Sequence, residues 1–347
     1  PTTTPSPIPP PQAYPTPEWA PYEDEPFTIV FQRCGELWLS EVGGQGERSL
    51  TNEGLHTSEG PYFGVRSFDV SPSGRFIAYV VNDQRTSFVK VVNVLNGSTR
   101  LLSPVSESYG VIDYGFSGPQ AWWDETHVAY YVGGKDTTSR LVELVIVDLE
   151  TEQRTTEPVS AIQWPSPDGR YVLSGLQLHD RETGEQWEVI GEDRRAIFLG
   201  WSPAGRLMLF SVIYEEEESE VGKEIEWLLV VDAETQEQRL ISSEDKVAHG
   251  LSAAWSPDGQ TIAYMQCDPP RTGCGNPELW LTSPAGTNRH RVPLEESITC
   301  TQLSWTPDGS RLVFETTREP SIWSVRLDGT GLRPIADGQD PQALPAP

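Results

Sequence analysis

The sequence predicts an all-β protein, a seven-bladed β-propeller of four-stranded antiparallel blades. The first observation is a recurring pair of apolar runs around one turn, clearest in "SAAWSPDGQTIAYMQ" (252–266) and "QLSWTPDGSRLVFET" (302–316). In this turn proline presets φ, aspartate bonds the local backbone and glycine takes the left-handed corner. The second observation is the recurrence itself, because four strands repeated about every 40–50 residues are typical of propeller blades.

Each unit continues with a third strand, a turn and a fourth strand, as in "ELWLTSPAGTNRHRVP" (278–293). A blade cannot bury either face alone, so neighbouring blades must stack and the ring must close. Residues 27–52 lack a first strand, and the C-terminal "GQDPQALPAP" supplies one. We therefore predict a seventh blade that mixes N- and C-terminal strands. The six complete units span residues 65–104, 111–157, 158–190, 195–242, 247–293 and 297–336.

Residues 1–26 form a separate zone with ten prolines, and residues 27–347 form the propeller domain. Proline lacks an amide proton and fixes φ, so we expect an extended polyproline II arm or linker. One interpretation is a spacer from a cell surface. The other is a docking arm that contacts a neighbouring copy and produces a homo-oligomer. The composition around Thr2, Thr3 and Thr4 is also typical of O-glycosylated stalks.

The net charge of −26, from 51 acidic and 25 basic residues, disfavours nucleic-acid and anionic-lipid partners. No apolar stretch approaches the roughly 18 residues of a membrane span. The sequence begins with neither methionine nor a signal peptide, so we expect a mature or trimmed chain with room for a lipid or surface anchor upstream of residue 1. The expected location is extracytoplasmic, either secreted or at the cell surface.

The four cysteines predict two disulfides in an oxidising compartment. Cys267 and Cys274 are close in sequence across one loop, so we pair them. Cys34 and Cys300 then remain, in blades that must be neighbours if the ring closes. The rival pairing joins Cys300 to a cysteine of the preceding blade.

The repeated "WSPDGxxIAY" followed by "LWL…G…R.L" resembles the WD40-like, or PD40, repeat of TolB-type β-propellers. The resemblance covers residues 27–340 and implies the propeller fold. The repeat serves scaffolds, peptidase accessory domains and lyases alike, so it implies no single function. The chain departs from the TolB family in having seven predicted blades instead of six and no separate N-terminal α/β domain.

The chemistry-bearing residues predict no catalytic site, no metal and no cofactor. A hydrolase domain of the peptidase type needs a G-x-S-x-G motif, which does not occur. The five histidines are scattered singly. His249, just before a first strand, lies nearest the predicted mouth of the ring and is a candidate binding residue.

Three further features are candidates for surface recognition. Trp122 and Trp123 are adjacent and face opposite ways in a strand, so one of them can be exposed. The acidic insertion with Glu215, Glu216, Glu217 and Glu218 is either a solvated loop or a site for a cation or basic partner. Asn96 begins an N-glycosylation sequon on a predicted turn.

These observations favour a non-enzymatic binding or scaffold protein that recognises a protein or glycan partner with its loops. The first alternative is a self-assembling surface or fibre subunit that uses the arm to grip a neighbour. The second alternative is a propeller enzyme active on polysaccharide.

Overall fold

A computed structural model describes residues 27–42, 46–53, 64–83, 86–103, 109–111, 122–134, 142–159, 161–191, 195–215, 224–242, 247–268, 275–294, 298, 300–316, 319 and 321–345. The described residues form seven four-stranded antiparallel sheets and contain no helix. The predicted seven-bladed propeller is therefore confirmed. The predicted arm at residues 1–26 lies outside the described residues.

Six blades are built from consecutive strands. Blade 1 contains β4 (Gly64–Val70), β5 (Phe76–Asp83), β6 (Thr86–Asn93) and β7 (Thr99–Leu101). Blade 2 contains β8 (Tyr109–Val111), β9 (His127–Gly134), β10 (Val142–Asp148) and β11 (Arg154–Val159). Blade 3 contains β12 (Gln163–Pro165), β13 (Tyr171–Ser174), β14 (Gln177–Asp180) and β15 (Gln186–Glu188).

The second half of the ring repeats this order. Blade 4 contains β16 (Arg195–Trp201), β17 (Leu207–Glu215), β18 (Glu224–Asp232) and β19 (Gln238–Leu240). Blade 5 contains β20 (Val247–Trp255), β21 (Ile262–Asp268), β22 (Gly275–Thr282) and β23 (His290–Arg291). Blade 6 contains β24 (Cys300–Trp305), β25 (Arg311–Thr316), β26 (Ile322–Arg326) and β27 (Arg333–Ala336).

Blade 7 closes the ring with strands from both ends of the chain. Its order is β28 (Gln339–Ala343), β1 (Phe27–Arg33), β2 (Glu36–Val42) and β3 (Glu47–Ser49). Ile29 pairs with Ala343 and Val30 with Gln342, which confirms the predicted closure. First strands of neighbouring blades contact one another, β16 with β20, β20 with β24 and β24 with β28, so they line the axis of the ring.

The recurring turn forms as its residues predict. In blade 5 the Ser256 hydroxyl donates to the Asp258 carboxylate at 2.6 Å, and that carboxylate accepts the Gln260 amide proton at 3.0 Å. Gly259 has a φ of 68°, in the left-handed region that glycine adopts without strain. The turn thus satisfies its own polar groups and directs β20 back into β21.

Apolar clusters lie between adjacent blades. One of them joins Ala263 and Met265 of blade 5 to Cys300, Leu312 and Phe314 of blade 6. Alternate side chains of a strand point to opposite faces, so a single strand contributes to the two interfaces that flank its blade. Each blade is therefore stable only between its two neighbours.

Tryptophans also join neighbouring blades through hydrogen bonds. In each case the indole Nε1–H donates to a backbone carbonyl on the inner strand of the preceding blade. The four pairs are Trp122 to Asp69 at 3.0 Å, Trp201 to Trp164 at 3.1 Å, Trp255 to Gly200 at 3.3 Å and Trp305 to Ala254 at 3.1 Å. Trp122 is buried, so it is not the exposed binding residue that the sequence suggested. The repeated tryptophan position is hard to recognise in the sequence of blade 2, because Asp124 forms the turn in place of the usual motif. Its carboxylate accepts the Thr126 and His127 amide protons.

We expect Trp305→Phe to lower the free energy of unfolding by about 1–3 kcal/mol, because the part-buried Ala254 carbonyl loses its indole donor. Trp38→Phe is the matched control. The Trp38 indole nitrogen is buried and has no hydrogen-bond partner among the described residues, so its removal should change stability little. Urea denaturation of both variants measures the difference. Equal losses would show that the indole–carbonyl bonds are not what stabilises the blade contacts.

Candidate functional site

Inner strands carry β-bulges in five of the seven blades, within the part of the chain that the structure describes. In β4, β16 and β24 the extra residue is Arg66, Leu199 and Gln302, respectively. A longer bulge interrupts β20 between His249 and Ala253, and in β28 Asp340 and Pro341 lie opposite the single residue Phe31. Bulges bend a strand and re-aim its side chains, and they are over-represented beside active sites. The irregular backbone of these inner strands therefore makes the axis of the ring a candidate location for a functional site.

Two of these bulges hold non-glycine residues in the left-handed region. Gln302 has a φ of 44° and Asp340 a φ of 51°. Such residues cost about 1–3 kcal/mol each and persist where the surrounding structure holds them. Gln302 lies in blade 6 and Asp340 in blade 7, so the two strained residues occupy consecutive inner strands.

Next to them lies a polar cluster that we call the seam site, in which hydrogen bonds join Gln32, the Arg66 carbonyl, Glu315 and Asp340. We include Gln302 in the seam site because it follows Thr301, the residue that pairs with Glu315. The Asp340 amide donates to Glu315 Oε2 at 3.1 Å. Gln32 Nε2 donates to Asp340 Oδ2 and to the Arg66 carbonyl, both at 3.3 Å. Gln32 is 8% exposed, so its amide is held firmly. The seam site thus joins blades 6, 7 and 1.

The two carboxyl groups of the seam site are both harder to ionise than usual. Burial raises the pKa of Glu315, and the negative charge of Asp340 raises it further, while the Asp340 amide proton partly offsets both effects. Burial also raises the pKa of Asp340.

These raised pKa values predict a pH dependence of stability. The folded protein holds protons that the unfolded chain has lost, so the contribution is present below about pH 4 and is lost as pH rises through the folded pKa values. We expect unfolding free energy to fall less steeply above about pH 4 in Asp340→Asn than in the unsubstituted protein. Urea denaturation across a pH series measures the difference. Parallel curves would contradict the raised pKa values.

A carboxyl group whose pKa is raised by burial can act as a general acid or a general base. Exposed side chains of the inner strands flank the pair, namely Arg66, Gln302 and Gln339. The seam site therefore combines two carboxyl groups with raised pKa values and polar groups that reach solvent.

The structure places the predicted recognition residues apart from one another. Trp123 is half-buried, with the Arg181 guanidinium 5.7 Å from its ring centroid. His249 pairs with Met265 through the backbone of β20, and its side chain lies outside the described part of the chain. Glu215 ends β17 without a described side chain, and residues 216–218 are not described.

The glycosylation candidates stay predictions. Asn96 is exposed in the turn between β6 and β7, where its Oδ1 accepts the Ser98 amide proton at 2.9 Å. An exposed asparagine on a turn is accessible to a glycosylating enzyme, which agrees with the prediction without testing it. Thr2, Thr3 and Thr4 lie outside the described residues.

The predicted disulfide between Cys34 and Cys300 is wrong, because both residues are free cysteines. Cys300 packs among blade 5 residues, whereas Cys34 is exposed in the turn between β1 and β2 of blade 7. The thiol of Cys300 therefore points away from blade 7. Cys267 is disulfide-bonded. Cys274 lies outside the described residues, so its pairing with Cys267 stays a prediction.

The sequence analysis missed the seam site, although a signal for it was present. Gln32 and Glu315 occupy the same repeat position, in "IVFQ" (29–32) and "LVFE" (312–315), where blade 5 has Met265. A polar residue at a position that is apolar in another blade marks a departure from simple packing.

No group of three or more potential metal-binding side chains occurs among the described residues. No helix long and apolar enough to cross a membrane occurs there either.

Comparison with protein-family models finds no match. Over 206 residues the chain is 24% identical to a probable dipeptidyl-aminopeptidase B of Emericella nidulans. The alignment covers 53% of this chain and 22% of that relative, so the chain spans about a fifth of the relative's length.

Solved β-propellers resemble the structure at low identity. TolB from Acinetobacter baumannii is 13% identical, with a TM-score of 0.51 over 92% of this chain and 67% of that chain. An oligogalacturonate lyase from Vibrio parahaemolyticus is 15% identical, with a TM-score of 0.57 over 83% and 81%. A prolyl endopeptidase is 13% identical, with a TM-score of 0.56 over 90% and 50%. These likenesses confirm the relation to TolB and other propellers at the level of fold.

The comparisons overturn the prediction of a non-enzymatic scaffold. The curated sequence match is an aminopeptidase, and the structural neighbours include a lyase and a prolyl endopeptidase. The prediction relied on a missing nucleophile motif and scattered histidines. Closure of the ring, however, brings Asp340 of blade 7 against the Glu315 carboxylate of blade 6.

Proposed function

We propose that this propeller is an enzyme active on polysaccharide and that the seam site is its active site. The observation that carries the proposal is the hydrogen bond from the Asp340 amide, on left-handed backbone of the inner strand β28, to the Glu315 carboxylate of β25. Glycosidic bonds are commonly cleaved by two carboxyl groups, one as acid and one as base or nucleophile. The fold likeness to the oligogalacturonate lyase supports the substrate class.

The roles of the two carboxyls follow from their surroundings. The Asp340 amide proton stabilises the ionised form of Glu315, so Glu315 is the base. Burial raises the pKa of Asp340, so we assign Asp340 as the acid that donates a proton to the leaving oxygen. Gln32 fixes the Asp340 carboxyl, and the exposed Gln302 is placed to contact sugar hydroxyls.

The net charge of the chain limits the classes of polysaccharide that it is expected to bind. A chain with a net charge of −26 repels polyanions at long range. An uncharged polysaccharide is therefore favoured over an acidic one such as the substrate named for the lyase. Its hydroxyl groups would be recognised by hydrogen bonds in the seam site.

The second candidate is the propeller unit of a peptide-processing enzyme. The sequence match to the dipeptidyl-aminopeptidase favours it, because that relative is matched by sequence over 206 residues. In such an enzyme the ring would select and admit peptides. The acidic surface would attract peptides with positively charged amino termini.

A panel of purified substrates tests both candidates. The chain is incubated with uncharged β-glucan, xylan and mannan, with polygalacturonate, and with chromogenic dipeptide amides. New reducing ends from an uncharged polysaccharide would support the seam site as a glycosidase. Release of the chromogen would favour the second candidate. Inactivity on every polysaccharide, with wild-type folding verified by circular dichroism, would overturn the first.

Two further proposals concern location and assembly. An extracytoplasmic location is supported by the disulfide at Cys267, since such bonds persist in oxidising compartments. Association through residues 1–26 is proposed from their composition alone. Light scattering of the chain with and without these residues tests it, and unchanged oligomers after deletion would contradict it.

A further inference from the structure

The apolar cluster between blades 5 and 6 contains the free cysteine Cys300, and strand β21 of blade 5 carries the disulfide-bonded Cys267. Cys300, the first residue of β24, is free and 3% exposed. It packs with Met265 and Ala263 of β21. Cys267, on the same strand β21, is disulfide-bonded and 1% exposed.

Strand alternation directs Cys267 towards Cys300. Residues 263, 265 and 267 share one face of β21, because successive side chains alternate. Register supports this, since β21 pairs continuously with β20 from Met265 to Cys267. Cys267 pairs with Val247, the first residue of β20, and Cys300 is the first residue of the neighbouring inner strand. Both sulfurs therefore lie at the same end of one blade interface.

We propose that Cys267 and Cys300 form an alternative disulfide that links blade 5 to blade 6. In the exchange the Cys300 thiolate attacks Sγ of Cys267, and the bond from Cys267 to its present partner breaks. The partner sulfur leaves as a thiolate and takes up the proton that Cys300 released. No oxidant or reductant is consumed.

The exchange changes how the two blades are held together. The present bond of Cys267 leaves the blade 5–6 interface held by apolar packing and the Trp305 hydrogen bond. The alternative bond would add a covalent link across that interface. Burial raises the pKa of the Cys300 thiol, so its thiolate is scarce and the exchange is slow.

The test uses Cys274→Ser, which leaves Cys34, Cys267 and Cys300 of the four cysteines. The variant is folded in a glutathione redox buffer, and its thiols are counted after denaturation. One thiol per chain, with a peptide joining Cys267 to Cys300, is the expected result. Three thiols per chain, or a peptide joining Cys34 to either cysteine, would overturn the proposal.

A second measurement tests the proposal on the unsubstituted protein, in case the Cys274→Ser variant does not fold. The unsubstituted protein is held with trace thiol at mildly alkaline pH, and its disulfides are mapped without reduction over hours. Growth of the peptide that joins Cys267 to Cys300 supports the exchange, and Cys300→Ser must abolish it. A map that stays constant while the protein unfolds and refolds reversibly would overturn the proposal.

Discussion

Asp340→Asn is expected to reduce the rate of polysaccharide cleavage by about 10²- to 10⁴-fold, the usual contribution of a general acid. Asparagine keeps the shape of the side chain and can still accept the Gln32 hydrogen bond, but it carries no transferable proton. Asparagine also tolerates the left-handed backbone conformation of this position, so the ring should remain folded. Steady-state kinetics with the best substrate of the panel measures the loss.

Two companion variants separate catalysis from packing. Glu315→Gln should lose activity to a similar degree and should also remove the low-pH limb of the rate profile, because the base can no longer ionise. Glu319→Gln changes an exposed carboxylate near the end of the same strand and should keep full activity. Equal rates in Asp340→Asn and the unsubstituted protein would remove Asp340 from the mechanism.

Truncation after Gly338 is expected to abolish cooperative unfolding of the ring. The deletion removes β28, so β1 loses its inner partner and becomes an unpaired sheet edge. It also removes Leu344, which packs with Val65 and Phe68 of blade 1. The deletion also removes Pro345, whose ring lies so close to Gly74 of blade 1 that a Cβ on Gly74 would be 2.9 Å from it. Thermal unfolding followed by circular dichroism measures the effect.

Leu344→Ala provides a graded comparison for the truncation. It deletes a buried side chain but keeps the strand, so the expected cost is about 2–5 kcal/mol with cooperative unfolding retained. A truncated chain that unfolds with the same sharp transition as the unsubstituted protein would show that blade 7 does not need its C-terminal strand.

Local chemistry determined most of the fold. The turn around Gly259 needs only its own serine, aspartate and glycine, so each copy could be recognised in the sequence and the copies could be counted. Closure also followed from the sequence, because residues 27–52 lacked a strand that the C-terminus supplied. Where Asp124 replaced the usual turn, the pattern failed and Trp122 was misjudged.

Only the tertiary structure decided where chemistry could occur. Gln32 and Asp340 are 308 residues apart in the chain, and the ring must close before they meet. The left-handed conformation of Asp340 is set by a bulge against β1, which its own neighbours in sequence do not specify. Cys300 likewise faces blade 5 because of the alternation within β24. Turns depend on adjacent residues, whereas the seam site depends on contacts between blades, and these exist only in the closed ring.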